Sequence, residues 1–186
     1  MASQGPYYPT STLCGSFNST PYDDNSWSSP TSLADNDGDY MNVTSPTYDT
    51  GDYTNVGYGA GYGFSIPSGA TIDGVVVEYE RYYANGTAQE ALVQLVNNIT
   101  LIGNNKSDSS AYPSSPTNTV RGGSSDTWGA TLTPEIINSD NFGAGVAALA
   151  TGDNADVFVD YIRITVYYTE LASDDLTAEN IVTEPA

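Results

Sequence analysis

The middle of the chain alternates hydrophobic and polar positions with a period of two. Val75, Val77 and Tyr79 fall on one side of this pattern, and Glu78 falls on the other. Because successive side chains of a β-strand point to opposite faces, the pattern predicts a strand with one face in a core and the other nearer water. Asn85-Gly86 then supplies a hairpin-type turn.

A second alternating segment runs from Asp156 to Thr169 and is the clearest in the sequence. The opposite face of this predicted strand begins with Val159, and Asp160 interrupts the apolar face near its start. The period of two predicts an apolar face that consists of Phe158, Ile162, Ile164, Val166 and Tyr168.

Shorter segments predict further strands. Residues 91–96 and 99–103 are two β-like runs that form either a hairpin or one bulged strand. Residues 142–149 predict another strand. The Gly-rich residues 53–64 are expected at a bend or at the edge of a sheet, because glycine weakens the interior of a strand.

Only one short helix is predicted, at residues 133–138, where a threonine N-cap is followed by proline at the first helical position. Residues 104–127 are rich in Ser, Asn, Pro and Gly, which predicts a long loop. We expect Tyr112, Val120 and Arg121 to anchor this loop to the rest of the domain.

Many short strands separated by Gly- and Pro-rich turns are typical of an all-β protein. We predict an antiparallel, jelly-roll-like β-sandwich over residues 31–170. Residues 1–30 lack sustained periodicity, so we expect an extended N-terminal arm that lies on a neighbouring surface. Residues 171–186 drop the aromatic pattern and are expected to form a C-terminal tail.

The composition favours binding over catalysis. The 186 residues include 15 Tyr but no His and only one Cys. The commonest proton-transfer group and neutral metal ligand is therefore missing, and we predict a protein that is not an enzyme and carries no cofactor. Cys14 has no second cysteine with which to form a disulfide and is expected to be a buried or spectator thiol.

The chain is strongly acidic, with 23 Asp and Glu residues against 4 Lys and Arg residues and a formal net charge of −19. Without a cluster of cations to neutralise phosphates, nucleic-acid binding is not expected. Anionic repulsion keeps such a chain soluble, including on a crowded particle surface. We see neither a secretory signal pattern nor a run of roughly 20 apolar residues, so no membrane association is expected.

Two groups of acidic residues are candidates for chemistry. The first is a candidate Ca²⁺ site, because Ca²⁺ prefers carboxylate and carbonyl oxygens, and it consists of Asp35, Asp37 and Asp39. The spacing of this segment differs from that of an EF-hand loop, which favours a solvated Asp/Gly turn. The second group consists of Glu78, Glu80 and Glu90. Alternating Glu on a strand is more typical of the wet face of a sheet than of a glycosidase pair.

Four segments occur in an order that is also found in a known family. They are residues 64–79, 125–129, 138–143 and 160–168. In this order they resemble a family of β-sandwich domains in structural proteins of tailed bacteriophages and prophages, found in capsid decoration proteins and tail-associated surface proteins. The resemblance covers residues 5–169. It implies a virion surface protein without catalytic residues.

We therefore expect a non-enzymatic virion structural protein, a decoration or cement protein that stabilises a phage head. Its expected partners are the major capsid protein and copies of itself in a homotrimer, on a virion surface assembled in the host cytoplasm. The alternatives are a tail- or fibre-associated module that binds host glycans, and a subunit of an extracellular filament. Exposed aromatic anchors carry much interface energy, and the predicted contact residues are Tyr7, Tyr8, Trp27, Tyr53, Tyr58 and Tyr62.

Overall fold

A computed structural model describes residues 1–15, 25–44, 46 and 48–171 of the chain. These residues form ten β-strands, a 3₁₀ helix at Pro30–Ala34 and a short α-helix, α1, at Pro134–Ile137. The strands are β1 (Ala2–Tyr7), β2 (Ser11–Gly15), β3 (Met41–Thr44), β4 (Val56–Ala60), β5 (Thr71–Asn85), β6 (Ala88–Asn97), β7 (Thr100–Ile102), β8 (Thr117–Gly122), β9 (Phe142–Ala150) and β10 (Asp156–Thr169).

The strands pair into two antiparallel sheets. The order in sheet A is β1-β10-β5-β8, and β3 also pairs with β10. The order in sheet B is β2-β4-β9-β6-β7. Most connections along the chain cross from one sheet to the other, as in a jelly-roll sandwich. The predicted all-β antiparallel sandwich is therefore confirmed.

One hydrophobic core fills the space between the sheets. The alternation predicted for β5 is confirmed, because Val75, Val77 and Tyr79 are fully buried and Glu78 is half-buried on the opposite face. Burial of this apolar surface is the main favourable term in folding. The largest core side chains include Trp128, Tyr48, Tyr79, Tyr112 and Phe142.

The N-terminal residues 2–15 differ from the predicted arm, because they pair within their own chain. Strand β1 lies against the end of β10, with Ala2 opposite Tyr168, and β2 lies against β4. Both strands occupy sheet edges, where many side chains face water, so their hydrophobic periodicity is weak. Residues 16–24 of the predicted arm and residues 172–186 of the predicted tail lie outside the described residues.

The Gly-rich strand β4 is an internal strand between β2 and β9, not the predicted bend or edge. Gly57 of β4 faces the core, where a Cβ atom would fall 2.5 Å from Met41 Cε. A Cβ atom on Gly143 of β9 would collide with the backbone carbonyl of Gly59. Glycine is needed at position 143 because the backbone of β4 approaches too closely for a side chain, whereas at position 57 the obstacle is the end of the Met41 side chain. Strand propensity includes neither condition.

Strand β10 contains a bulge that changes the phase of its side chains. Its pairing with β5 skips a residue between Asp160 and Ile162, and Tyr161 has a positive φ of 21°. Before the bulge, Val159 faces the core and Phe158 faces outward; from Ile162 onward the predicted inward face is observed. The prediction is therefore wrong for Phe158 and Val159, because the extra residue of a bulge reverses the alternation.

The other elements agree with the predictions, with one addition. Strands β6 and β7 form a hairpin, which settles the alternative left open by the sequence. Helix α1 follows Thr133, whose side chain caps it by accepting a backbone N–H bond. The predicted loop at residues 104–127 contains an additional edge strand, β8. Within this segment Tyr112 is buried as expected, whereas the Val120 side chain is 50% exposed.

Candidate functional site

Three aromatic side chains meet on the outer face of sheet A. Tyr82 and Phe158 are directly opposed on β5 and β10, and their rings stack with centroids 4.5 Å apart. Tyr40, which immediately precedes β3, meets these two rings edge-on at 5.1 and 6.2 Å. All three side chains are half-buried, so part of each ring faces solvent. The outward position of Phe158 follows from the bulge in β10.

A carboxylate borders these rings. The Tyr40 hydroxyl donates a hydrogen bond to Glu80 Oε1 at 2.7 Å. Burial, and then this bond to Glu80, raise the pKa of Tyr40. Burial raises the pKa of Tyr82 as well. Both phenols therefore remain neutral at neutral pH and can donate hydrogen bonds. A carboxylate that accepts hydrogen bonds lies next to them.

The same side of the sheet continues toward β1 with a second polar and aromatic group. The rings of Tyr8 and Tyr161 meet edge-on at 6.1 Å, and the guanidinium carbon of Arg163 lies 5.3 Å from the Tyr161 ring centre. Arg163 also pairs with Glu78 at 3.1 Å. The residues that we call the aromatic outer face are Tyr8, Tyr40, Glu80, Tyr82, Phe158 and Arg163.

Asp160 lies fully buried next to this surface, in the bulge of β10. Its two oxygens accept backbone N–H bonds from Tyr161 at 2.8 Å and from Gly38 at 3.2 Å. Burial raises the pKa of Asp160 to about 6, and the nearby carboxylates Asp37 and Glu80 add to this effect. A shifted carboxylate marks functional sites and structural networks alike. Full burial and backbone partners give Asp160 a structural role.

The predicted contact residues fall into two groups. Tyr7 is 40% exposed, and Tyr8 and Tyr53 are half-buried. Tyr7 also packs against Phe64, with ring centroids 5.2 Å apart. Of the six predicted residues, only Tyr8 belongs to the aromatic outer face, so the structure does not bring the predicted set together.

Trp27, Tyr58 and Tyr62 are buried in their own chain, with exposed fractions of 5%, 8% and 4%. The indole of Trp27 donates to the Asn55 carbonyl at 2.7 Å, and the Tyr62 hydroxyl donates to the Ile162 carbonyl at 3.3 Å. The prediction of exposed anchors is corrected here. The glycines of β4 leave space on the core side that Trp27 and Tyr62 partly occupy.

The acidic candidates are also separated by the fold. Asp37 Oδ1 accepts the Asp39 amide at 2.9 Å, as in a self-bonded Asp turn. Across residues 1–15, 25–44, 46 and 48–171, no group of three or more His, Cys, Asp or Glu side chains is arranged to hold a metal ion. The structure thus gives no support to Asp35, Asp37 and Asp39 as a Ca²⁺ site. Glu78 and Glu80 lie on the outer side of sheet A, whereas Glu90 is buried.

Glu90 is the centre of a buried ion network. Its carboxylate accepts hydrogen bonds from the Tyr79 hydroxyl, from the Asp108 amide at 2.6 Å and from two nitrogens of Arg121. Arg81 pairs with it at 3.3 Å. This network uses two of the 4 cationic residues of the whole sequence. These partners surround the Glu90 carboxylate in the domain interior, so removal of any one of them would leave buried charge unpaired.

The single cysteine agrees with the expectation of a spectator thiol. Cys14 is half-buried, and its Sγ lies 3.7 Å from Met41 Sδ. Burial raises the pKa of the Cys14 thiol to about 12. Because the thiolate is the reactive form, this thiol is unreactive at neutral pH.

The fold and this surface define the chain as an all-β protein of the β-sandwich class. No protein-family model matches the chain, and no curated protein matches it. Among solved structures, one described as "CBM4 structure and function" is similar, with a TM-score of 0.39 and 16% sequence identity, over 70% of this chain and 85% of that chain. The described part of the chain has no helix with the length and hydrophobicity needed to cross a membrane.

Proposed function

We propose that this chain is a non-enzymatic structural protein of a tailed-phage virion surface, a decoration or cement protein that stabilises the head. The observation that carries the proposal is the aromatic outer face of sheet A, with its half-exposed Tyr40, Tyr82 and Phe158 rings. The order of sequence segments that resembles phage β-sandwich domains supports the choice of a virion.

The chemistry of the aromatic outer face suits a protein partner. Tyr and Arg are enriched at protein interfaces, because they combine a large rigid contact area with polar groups. Here Tyr8 and Arg163 lie at one end and Tyr40, Tyr82 and Phe158 at the other. Arg163, Tyr82 and Phe158 are on strands of the sandwich, and Tyr8 and Tyr40 directly flank strands β1 and β3. Rigid strands lower the entropy cost of binding relative to flexible loops.

The net negative charge of the chain limits which protein surfaces can be its partner. The chain carries a net charge of −19, and Glu80 lies within the aromatic outer face. A partner surface with Lys and Arg would be attracted and correctly oriented, whereas another acidic surface would be repelled. We therefore propose a basic patch on assembled capsid subunits as the docking surface. Binding only to the assembled shell would stabilise that shell by mass action.

The test is cosedimentation of the purified chain with phage heads that lack it, followed by heat release of the packaged DNA. We expect saturable binding that delays release, and about tenfold or greater weakening by Tyr82→Ser together with Phe158→Ser. Leu13→Ser is the matched control, because Leu13 is 52% exposed on β2 of the other sheet. Absence of binding, or equal weakening by the control, contradicts the proposal.

The proposed homotrimer is tested separately by sedimentation velocity on the free chain and on chain released from heads. A trimer in either sample supports self-association. A monomer in both leaves the decoration proposal in place and removes the trimer from it.

A glycan-binding module is the second candidate, favoured by aromatic rings that lie beside the Glu80 carboxylate. Aromatic faces take the apolar sides of sugar rings, while carboxylates accept hydroxyl hydrogen bonds. A glycan array probed with and without a chelator separates the candidates. Saturable binding to one class of glycan that is lost in Tyr82→Ser supports the module, whereas binding to heads without sugar binding supports the decoration protein.

A further inference from the structure

The turn between β6 and β7 holds an isoleucine in a conformation that this residue type rarely adopts. Asn97 pairs with Thr100, which leaves Asn98 and Ile99 as a two-residue loop with φ angles of 51° and 55°. Asparagine tolerates the left-handed region, and the second position of such a loop usually carries glycine. A β-branched residue there is an outlier, because its side chain crowds the backbone. Strained residues of this kind cluster at functional sites.

The Ile99 side chain contributes little to the fold. It is 66% exposed, so most of its apolar surface stays in water, and burial of apolar surface is the main favourable term in folding. A single exposed apolar residue needs no explanation by itself. An exposed apolar residue that also strains the backbone does need one, because glycine would remove the strain with little loss of packing.

The hairpin that carries Ile99 has no charged residue, although the chain has a net charge of −19. Residues 91–105 contain no Asp, Glu, Lys or Arg. The centre of a protein–protein interface is typically depleted of charged residues. The turn is also fixed to a neighbouring loop, because the Asn98 amide donates to the Asn141 carbonyl at 3.1 Å. Ile99 is therefore presented on a rigid support, which lowers the entropy cost of binding.

We propose that Ile99 is a second anchor of the chain on the phage head and inserts into an apolar pocket of a capsid subunit. The role of Ile99 rests on the proposed decoration function. A protein partner fits better than a lipid surface, because anionic headgroups would repel so acidic a chain.

This anchor is separate from the aromatic outer face. Tyr82 and Phe158 lie near the end of the sandwich where β5 turns into β6, since Asn85 pairs with Asp156 there. The 10 residues of β6 then carry the chain away from that end over roughly 30 Å. With contacts at opposite ends of the sandwich, one chain can bridge two places on the shell.

The test measures stability and binding of the same variant, and the expected changes have opposite signs. Ile99→Gly removes both the strain and the apolar side chain, so the melting temperature should rise. Its affinity for heads that lack the chain should fall about tenfold or more in cosedimentation, because the loss of one well-buried anchor has an effect of this size. Val120→Ser is the matched control, because Val120 is 50% exposed on β8 of the other sheet.

The outcomes separate this anchor from the function on which it rests. If the unaltered chain binds heads and Ile99→Gly binds equally well, the anchor is overturned and the decoration function stands. If the unaltered chain does not bind heads, both are overturned. A lower melting temperature of Ile99→Gly, or equal weakening of binding by Val120→Ser, also overturns the anchor. Binding of the unaltered chain to phosphatidylcholine vesicles that is lost in Ile99→Gly would show insertion into lipid and would overturn the protein pocket.

Discussion

The carboxylate of Asp160 accepts a hydrogen bond from the Gly38 amide 3.2 Å away, although 122 positions separate the two residues. Strands β3 and β1 pair with the same edge of β10 but at opposite ends, β3 at residues 156–159 and β1 from residue 164 onward. The bulge of β10 lies in the interval between them. Neither β1 nor β3 pairs with this interval in the described chain. The Asp160 side chain supplies a hydrogen bond there in place of strand pairing.

Replacing Asp160 by Asn is expected to flatten the pH dependence of stability. Burial raises the pKa of Asp160 to about 6, above the value of 3.8 for an unperturbed carboxyl, so the folded state holds this proton more tightly than the unfolded state. The contribution to the free energy of unfolding is full below the unfolded pKa and is lost as the pH rises through the folded pKa. Asn keeps an acceptor oxygen without a charge.

Thermal unfolding between pH 4.5 and pH 7.5 measures this effect. The unaltered chain should lose several degrees more over this interval than Asp160→Asn, because only the former must ionise a buried carboxyl. Asp37→Asn should reduce the pH dependence only in part, because the Asp37 carboxylate adds to the raised pKa of Asp160. Parallel curves for the unaltered chain and Asp160→Asn would show that Asp160 is ionised in the fold at all these pH values.

Removal of the Glu90 side chain is expected to be severe. Glu90→Ala leaves Arg81 and Arg121 without their shared carboxylate, and breaking such a buried pair costs about 3–5 kcal/mol. Glu78→Ala is the matched control, because its pair with Arg163 is more exposed and should cost less than about 1 kcal/mol. Urea denaturation of the two variants checks the difference. Similar losses would mean that Glu90 is solvated.

The sequence was sufficient for the fold class because its central strands are strongly patterned. One face of strand β5 is buried and the other is partly exposed to solvent. The spacing of Val75, Val77 and Tyr79 therefore indicates both the period of two and the face that points inward. The helix cap at Thr133 is a local hydrogen bond between residues three positions apart and is therefore visible in sequence.

The candidate site was harder to predict, because it depends on a bulge. The period of two predicts Phe158 in the core. The only sequence signal that the inward and outward positions of this strand exchange is the charged Asp160 inside the predicted apolar face. Tyr40 and Tyr82 carry no sequence signal that they meet, since pairing between β3, β10 and β5 joins residues far apart in the chain. Aromatic character alone predicts Trp27 and Tyr62 as exposed contact residues. Both are buried instead, because the glycines of β4 leave space beside them.

Gly143 of β9 should not tolerate a side chain. A Cβ atom there would collide with the Gly59 carbonyl of β4, and backbone cannot yield as a flexible side chain can. We expect Gly143→Ala to cost about 2 kcal/mol or more, because overpacking typically costs about 1–3 kcal/mol and the atom in the way here is backbone. Gly15→Ala is the control, because no atom lies within 4 Å of its Cβ position. Equal free energies of unfolding for the two variants would contradict the close approach of β4 and β9.

The turn between β6 and β7 should become more stable when its β-branched residue is removed. Asn98 and Ile99 have φ angles of 51° and 55°, the left-handed conformation that two-residue hairpin turns require. This conformation costs an L-residue roughly 1–2 kcal/mol, and a β-branched side chain is among the least suited to it. Ile99 is also 66% exposed, so its side chain contributes little burial.

Ile99→Gly is therefore expected to raise the free energy of unfolding by about 0.5–1 kcal/mol, after the larger chain entropy of glycine in the unfolded state is subtracted. Thermal and urea unfolding of the purified chain check this, with Ile99→Ala as the comparison that removes the branched side chain but keeps a Cβ atom. The free energy of unfolding of Ile99→Ala should lie between those of the unaltered chain and Ile99→Gly. If Ile99→Gly instead lowers stability, the turn does not hold Ile99 in the left-handed region, and its side chain makes contacts that offset the strain.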